Sequence, residues 1–174
     1  MRPTTLRADA QTDVVVDIGC VSYANEDSIQ TLIKRFSPTV LFGFDPHPAM
    51  REGVGQVNGT TVITARKAAW TQDGFCGLVI NGNCTHLDDA GSAAAVRTFD
   101  LANWMMLLPD AKVVLKIDAE GAEYPLLTDL LERGAMDNVT RLIVEWHTGE
   151  YANGYESDRE AILSQITCPV EEWH

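Results

Sequence analysis

Three carboxylates, Asp118, Glu120 and Glu123, fall within a six-residue span directly after an apolar run, with Lys116 just inside that run. Carboxylates packed so closely repel one another, so crowding them costs stability unless something uses the charge. A structural reading stands beside the chemical one. Asp118 would cap a following helix, and Glu120 and Glu123 would favour its first turn electrostatically. Both readings can hold together. Glu145-Trp146-His147 closes the next apolar run. Period-two alternation puts Glu145 and His147 on one side and Trp146 on the other. An unperturbed histidine titrates near neutrality, which suits His147 to general-base work. It could equally be a strand-end histidine bound to a neighbouring carbonyl.

Two upstream positions point to a cofactor. Asp17-Ile18-Gly19-Cys20 follows a β-branched run, and a glycine there lets the backbone approach a ligand beside a helix N-terminus. Asp45 closes the next apolar run, where a carboxylate can accept hydrogen bonds from both hydroxyls of a ribose. Such a D-x-G turn also closes many strands for purely steric reasons. After Gly19 the chain reads Cys20-Val21-Ser22-Tyr23, without the further glycines that wrap a pyrophosphate. An adenosine cofactor lacking phosphates, S-adenosylmethionine, fits this turn better than a dinucleotide. A nucleotide-dependent oxidoreductase is disfavoured accordingly. His47, between Pro46 and Pro48, reads as a rigid turn residue close to the cofactor.

These residues need a frame that brings strand ends together. Val14 to Ile18, Val40 to Asp45, Thr61 to Thr64, Lys112 to Ile117 and Leu142 to Trp146 read as buried strands. Ile29, Leu32, Ile33 and Phe36 share one face of a helix expected over Glu26 to Phe36. Asp100 is expected to cap a short helix with Leu101, Trp104, Met105 and Leu108 on its inner face. Further helices are predicted over Tyr124 to Glu132, ended by Gly134, and over Asp158 to Ile166, before a last extended piece at Val170 to Trp173. Cys76 to Ile80 and Val96 to Thr98 read as short inserted strands. Alternating strands and helices imply a single α/β domain over residues 1–174, a doubly wound, mostly parallel sheet. Ligands in such sheets bind beyond the carboxyl ends of the strands, where Asp17, Gly19, Asp45, Asp118, Glu145 and His147 all fall.

The 174 residues carry a formal charge of −12, with 13 scattered basic residues. That field repels polyanions and argues against nucleic acid as a partner. A small molecule or neutral sugar is the easier substrate. No apolar run reaches the length of a membrane span, and the polar N-terminus lacks a secretory pattern, so a cytoplasmic protein is expected. The four cysteines then read as reduced, packed thiols, and a zinc set from Cys76, Cys84 and His86 matches no standard spacing.

Taken in order, DIG, FDPHP, KAAW, RTFDLANWM, VLKIDAEGAEYPLL and RLIVEWH resemble the FkbM-type methyltransferases from about Val14 to His147. The stretch Lys116 to Glu123 matches that family's K-I-D-x-E-G-x-E signature. The resemblance implies a class I methyltransferase fold (Rossmann-like) and transfer of a methyl group from S-adenosylmethionine to a hydroxyl of a small molecule or glycan. It places Asp17, Gly19, Cys20, Asp45 and Pro46 around the cofactor, with Asp45 on the ribose and Ala68 beside the adenine. Asp118, Glu120 and His147 would line the acceptor side, with His147 or Asp118 as the base and Glu120 orienting the acceptor. A divalent metal held by the carboxylates is the less favoured arrangement. The chain departs from the family pattern at Tyr23, where a glycine is usual, and in a C-terminus that looks short. An incomplete closing hairpin would leave an edge able to pair in a homodimer. The alternative function is a catalytically degenerate protein with the same fold that binds S-adenosylmethionine or serves as a partner subunit.

Overall fold

The computed structural model describes residues 12–20, 28–81, 84–88, 95–108, 110–149 and 155–173, with 79–81, 84–88 and 156 as backbone only. Tyr23, the first two residues of the helix expected from Glu26, and the side chains of Cys84 and His86 lie outside the described parts.

Seven strands form the main sheet: β1 (Val14–Ile18), β2 (Val40–Phe44), β3 (Gly53–Val57), β4 (Thr60–Ala65), β9 (Val113–Ile117), β10 (Val139–Val144) and β11 (Val170–Glu172). Their order is β11-β10-β9-β1-β2-β4-β3, with every pair parallel except β3 on β4. The chain starts in the middle, winds out through β2 and β4, and returns to the other side of β1 at β9. The reversal between β1 and β9 is a topological switch point. A smaller sheet is inserted after β4. It comprises β5 (Ala68–Trp70), β6 (Gly74–Asn81), β7 (Cys84–Asp88) and β8 (Ala95–Asp100), in the order β5-β8-β6-β7.

Strand alternation divides the core. Val14, Val16, Ile18, Val113, Leu115 and Ile117 face α2 (Leu101–Met105), α3 (Glu123–Glu132) and α4 (Arg159–Gln165). Val15 and Val114 face α1 (Ser28–Phe36), which buries Leu32 and Ile33. Helices therefore cover both faces, as the apolar runs implied. Phe99 ties the small sheet to the large one, its ring 4.5 Å from that of Phe44. Asp100 caps α2 as expected, accepting the Asn103 N–H at 2.8 Å, although Leu108 lies beyond that helix.

Several boundaries differ from the sequence expectations. β10 begins at Val139 and ends at Val144, so Glu145, Trp146 and His147 stand past the strand. β3, β5 and β7 were not expected. Asn58 and Gly59, both at positive φ, turn β3 back on β4, the conformation that matches the twist of a two-residue hairpin. β11 runs parallel to β10 as an edge strand, and among the described residues no antiparallel strand closes that side. No helix among the described residues is long and apolar enough to cross a membrane.

Candidate active site

The carboxyl ends of the central strands form a continuous rim. Backbone hydrogen bonds link Asp45 N–H to Ala65 O, Gly19 N–H to Phe44 O, Asp118 N–H to Ile18 O and Glu145 N–H to Ile117 O. Residues scattered over 130 positions of sequence are thereby held in one row. Asp17, Gly19, Asp118, Glu120 and His147 come together around β1, β9 and β10, and Asp45 and Pro46 adjoin them at the end of β2.

Asp17 and Lys116 are register partners on β1 and β9, both facing α1 and both fully buried. Lys116 Nζ lies 3.2 Å from Asp17 Oδ1 and 3.1 Å from Asp118 Oδ2, and donates to Gly19 O at 2.7 Å. The Asp17 contact is an ion pair without hydrogen-bond geometry. Ser28 Oγ, at the first residue of α1, donates to Asp17 Oδ2 at 2.7 Å. Burial works against the charge on Lys116, but Asp17 and Asp118 outweigh it and hold the ammonium form. Burial likewise pushes the Asp17 carboxyl up, against the pull of Lys116. The lysine therefore fixes two strand ends and one turn at once.

Gly19 has φ +77°, and a Cβ there would sit 1.7 Å from Asp118 O. The sequence left two readings for this glycine, close approach of a ligand and a steric requirement of the turn. Here the room is taken by the backbone of the neighbouring strand end, so the glycine is required by the switch point itself. Cys20 is buried with its Sγ 3.9 Å from Met50 Sδ, and burial, then Asp17, pushes its thiol up. It packs and is not poised to react. Asp45 is 7% exposed, and its Oδ1 accepts the His47 N–H at 2.7 Å, locking the turn at Pro46. Ala68 is buried with Leu78 and Val96 in the core of the small sheet. It follows β4, whose last residue, Ala65, accepts the Asp45 N–H. Next to it, Lys67 lines a cleft of about 440 Å³ with Phe44, Phe99, Asn103 and Trp104.

The acidic stretch is arranged around His147. The His147 N–H donates to Glu123 Oε1 at 2.7 Å, and the same oxygen lies 3.3 Å from Nδ1. Glu123 Oε2 accepts the Gly121 N–H at 2.9 Å, and Tyr124 Oη donates to His147 O at 2.8 Å. On the other side of the ring, Nε2 lies 3.3 Å from Glu120 Oε2 and 3.9 Å from Asp118 Oδ1. Burial alone would lower the histidine pKa, but the bond to Glu123 and the surrounding carboxylates outweigh it and raise it to about 9. At neutral pH the ring is an imidazolium. Glu145 is pushed up by burial and then by the charge of Asp118.

The helix-cap reading of Asp118 is not what the structure shows. α3 begins at Glu123 with Ala122 as its cap residue and no side-chain cap bond, and Asp118 lies between Lys116 and His147 instead. Glu123 does lie in the first turn, as expected, whereas Glu120 precedes the helix, and the tie of Glu123 to His147 is new. Glu123 was not singled out as a site residue, and neither was Ser28. Lys116 was noticed only as a neighbour of the carboxylates.

Compared with models of known families, with characterised proteins and with solved structures, the chain finds no match.

Proposed function

We propose that the protein is an S-adenosylmethionine-dependent O-methyltransferase, with the cofactor across the ends of β1 and β2 and the acceptor beside β9 and β10. The observation that carries this reading is the rim itself. A ribose-type carboxylate, Asp45, and a carboxylate–imidazolium group, Asp118, Glu120 and His147, stand on opposite sides of one switch point. Doubly wound sheets bind their ligands at that place. The turn after β1 lacks a phosphate-wrapping glycine set, which suits a sulfonium nucleoside, and the aromatic cleft beside Asp45 offers rings against which adenine can pack.

Methyl transfer is an in-line displacement. The acceptor oxygen forms a bond to the methyl carbon as the carbon–sulfur bond breaks, the electron pair stays on sulfur, and S-adenosylhomocysteine leaves. Alignment supplies much of the acceleration. The hydroxyl must give up its proton, and His147 already holds one at neutral pH. The proton therefore goes to a carboxylate, Asp118 or Glu120, while the imidazolium, anchored by Glu123, positions them. Calorimetric titration with S-adenosylmethionine and S-adenosylhomocysteine tests the reading. Asp45→Ala is expected to weaken both by about 10- to 100-fold, the cost of hydrogen bonds to a charged acceptor. No binding to the folded wild-type chain would instead favour a partner subunit of the same fold.

A further inference from the structure

Asp118, Glu145 and His147 each offer one donor atom, and these atoms all lie within 4.8 Å of one another. They come from the run-outs of two neighbouring parallel strands, so the sheet fixes their spacing. His147 Nε2 and Asp118 Oδ1 are 3.9 Å apart, too far for a hydrogen bond to each other. Two ligands on one ion, each at about 2.1 Å, stand about 3 to 4 Å apart. Both ligands are also held from behind. Glu123, with no exposed surface, grips the His147 ring at Nδ1 and turns Nε2 toward the cluster, while Lys116 holds Asp118 by Oδ2 and leaves Oδ1 facing it. A carboxylate behind a histidine is the arrangement that orients metal-binding imidazoles. Charge points the same way. Asp17, Asp118, Glu120, Glu123 and Glu145 surround this corner with Lys116 as a fixed cation, and a metal ion would take the place of the proton that His147 otherwise holds.

We propose that Asp118, Glu145 and His147 bind one divalent first-row cation, manganese or zinc before calcium, at the rim between β9 and β10. One imidazole and two carboxylates form a mixed nitrogen–oxygen set, which suits those ions better than the all-oxygen cages of calcium. Three protein ligands leave coordination positions open. The sequence alone left the metal as the less favoured arrangement, and the ligand geometry moves the balance. Resting on the methyl-transfer reading, the acceptor is then a compound whose hydroxyl oxygen coordinates the ion, which lowers the hydroxyl pKa. The proton passes to Glu120, a carboxylate outside the ligand set whose Oε2 lies 3.3 Å from His147 Nε2.

Manganese binding to the full chain, freed of metal by chelation, tests this without cofactor or acceptor. The free Mn²⁺ signal in electron paramagnetic resonance is expected to fall with a stoichiometry of one ion per chain. Glu145→Gln and Asp118→Asn, each checked by circular dichroism, should weaken binding at least about tenfold. Should Asp118→Asn fail to fold, because Lys116 loses a partner, Glu145→Gln still decides. No binding by folded wild type, or weak binding of several ions unchanged by Glu145→Gln, would overturn the proposal. Calorimetry with S-adenosylmethionine in chelator separates the two readings: cofactor binding without manganese binding sinks only the metal site, and the reverse sinks only the methyltransferase.

Discussion

Glu120 holds a backbone conformation that its side chain disfavours. With φ +47° it forms, together with Gly121 at φ +96°, the two central residues of a turn closed by the Ala122 N–H on Ala119 O. Both positions are left-handed, which costs a non-glycine residue about 1–2 kcal/mol. The strained turn delivers the Glu120 carboxylate to His147 Nε2. Glu120→Asn, which tolerates this conformation, is expected to leave thermal stability unchanged or raised while methyl transfer falls about 10²-fold. Parallel loss of stability and activity would mean that Glu120 is structural. Lys116 makes the opposite case. Lys116→Met strands the buried Asp17 carboxylate and is expected to cost about 3–5 kcal/mol in urea unfolding. A much smaller loss would show that the buried pair does not fasten β1 to β9. The carboxylate row was legible in the sequence because its members are adjacent. The partnership of Glu123 with His147, 24 residues apart, was not, because it depends on how far past β9 and β10 the chain runs.

At the scale of elements, apolar runs with clear punctuation were read well. β1 has the predicted bounds and β2 ends one residue before Asp45, because both are mostly apolar, with Asp17 the one charged residue, and both are followed by turn residues. β3 escaped because Gly53-Val54-Gly55-Gln56-Val57 has neither an apolar run nor a buried face, and Val54 is exposed. The Asn58-Gly59 pair was the signal that could have found it. The start of β10 was missed because Thr140 and Arg141 break its apolar pattern. β11 is three residues long and is tied down by charge as well as by pairing. Glu171 takes ion pairs from Arg35 on α1 and Arg141 on β10. Burial would raise the Glu171 carboxyl, but the two arginines outweigh it and hold it below the usual range. A depressed carboxylate stabilises the fold above the unfolded pKa and loses that contribution as pH falls. Glu171→Gln should therefore cost up to about 1 kcal/mol at pH 7, allowing for solvent screening, and the difference from wild type should shrink as pH falls below the unfolded carboxylate pKa, about 4.3, and vanish once pH is below the depressed folded value. A constant difference across that range would place the effect in packing instead.

Across the whole molecule, the sheet order does what no local motif could. β1, β2 and β9 are separated in sequence yet adjacent in space, and the strand order across the sheet reverses between β1 and β9. Parallel order and two helical layers followed from the alternation of elements, but the inserted four-stranded sheet was legible only in part, because the three-residue β5 and the largely polar β7 carry little apolar pattern. Asp45, past β2, lies about 10 Å from Asp118, past β9, two strand spacings across β1. That separation is what the account uses: a nucleoside on one side, a reacting hydroxyl on the other. The most direct measurement is a crystal structure of the protein grown with S-adenosylhomocysteine. The expected result is a ribose on Asp45, adenine against Phe44 and Trp104, and the sulfur directed toward Asp118 and Glu120. A ligand bound away from this rim, or a rim that stays empty at saturating concentration, would contradict the account.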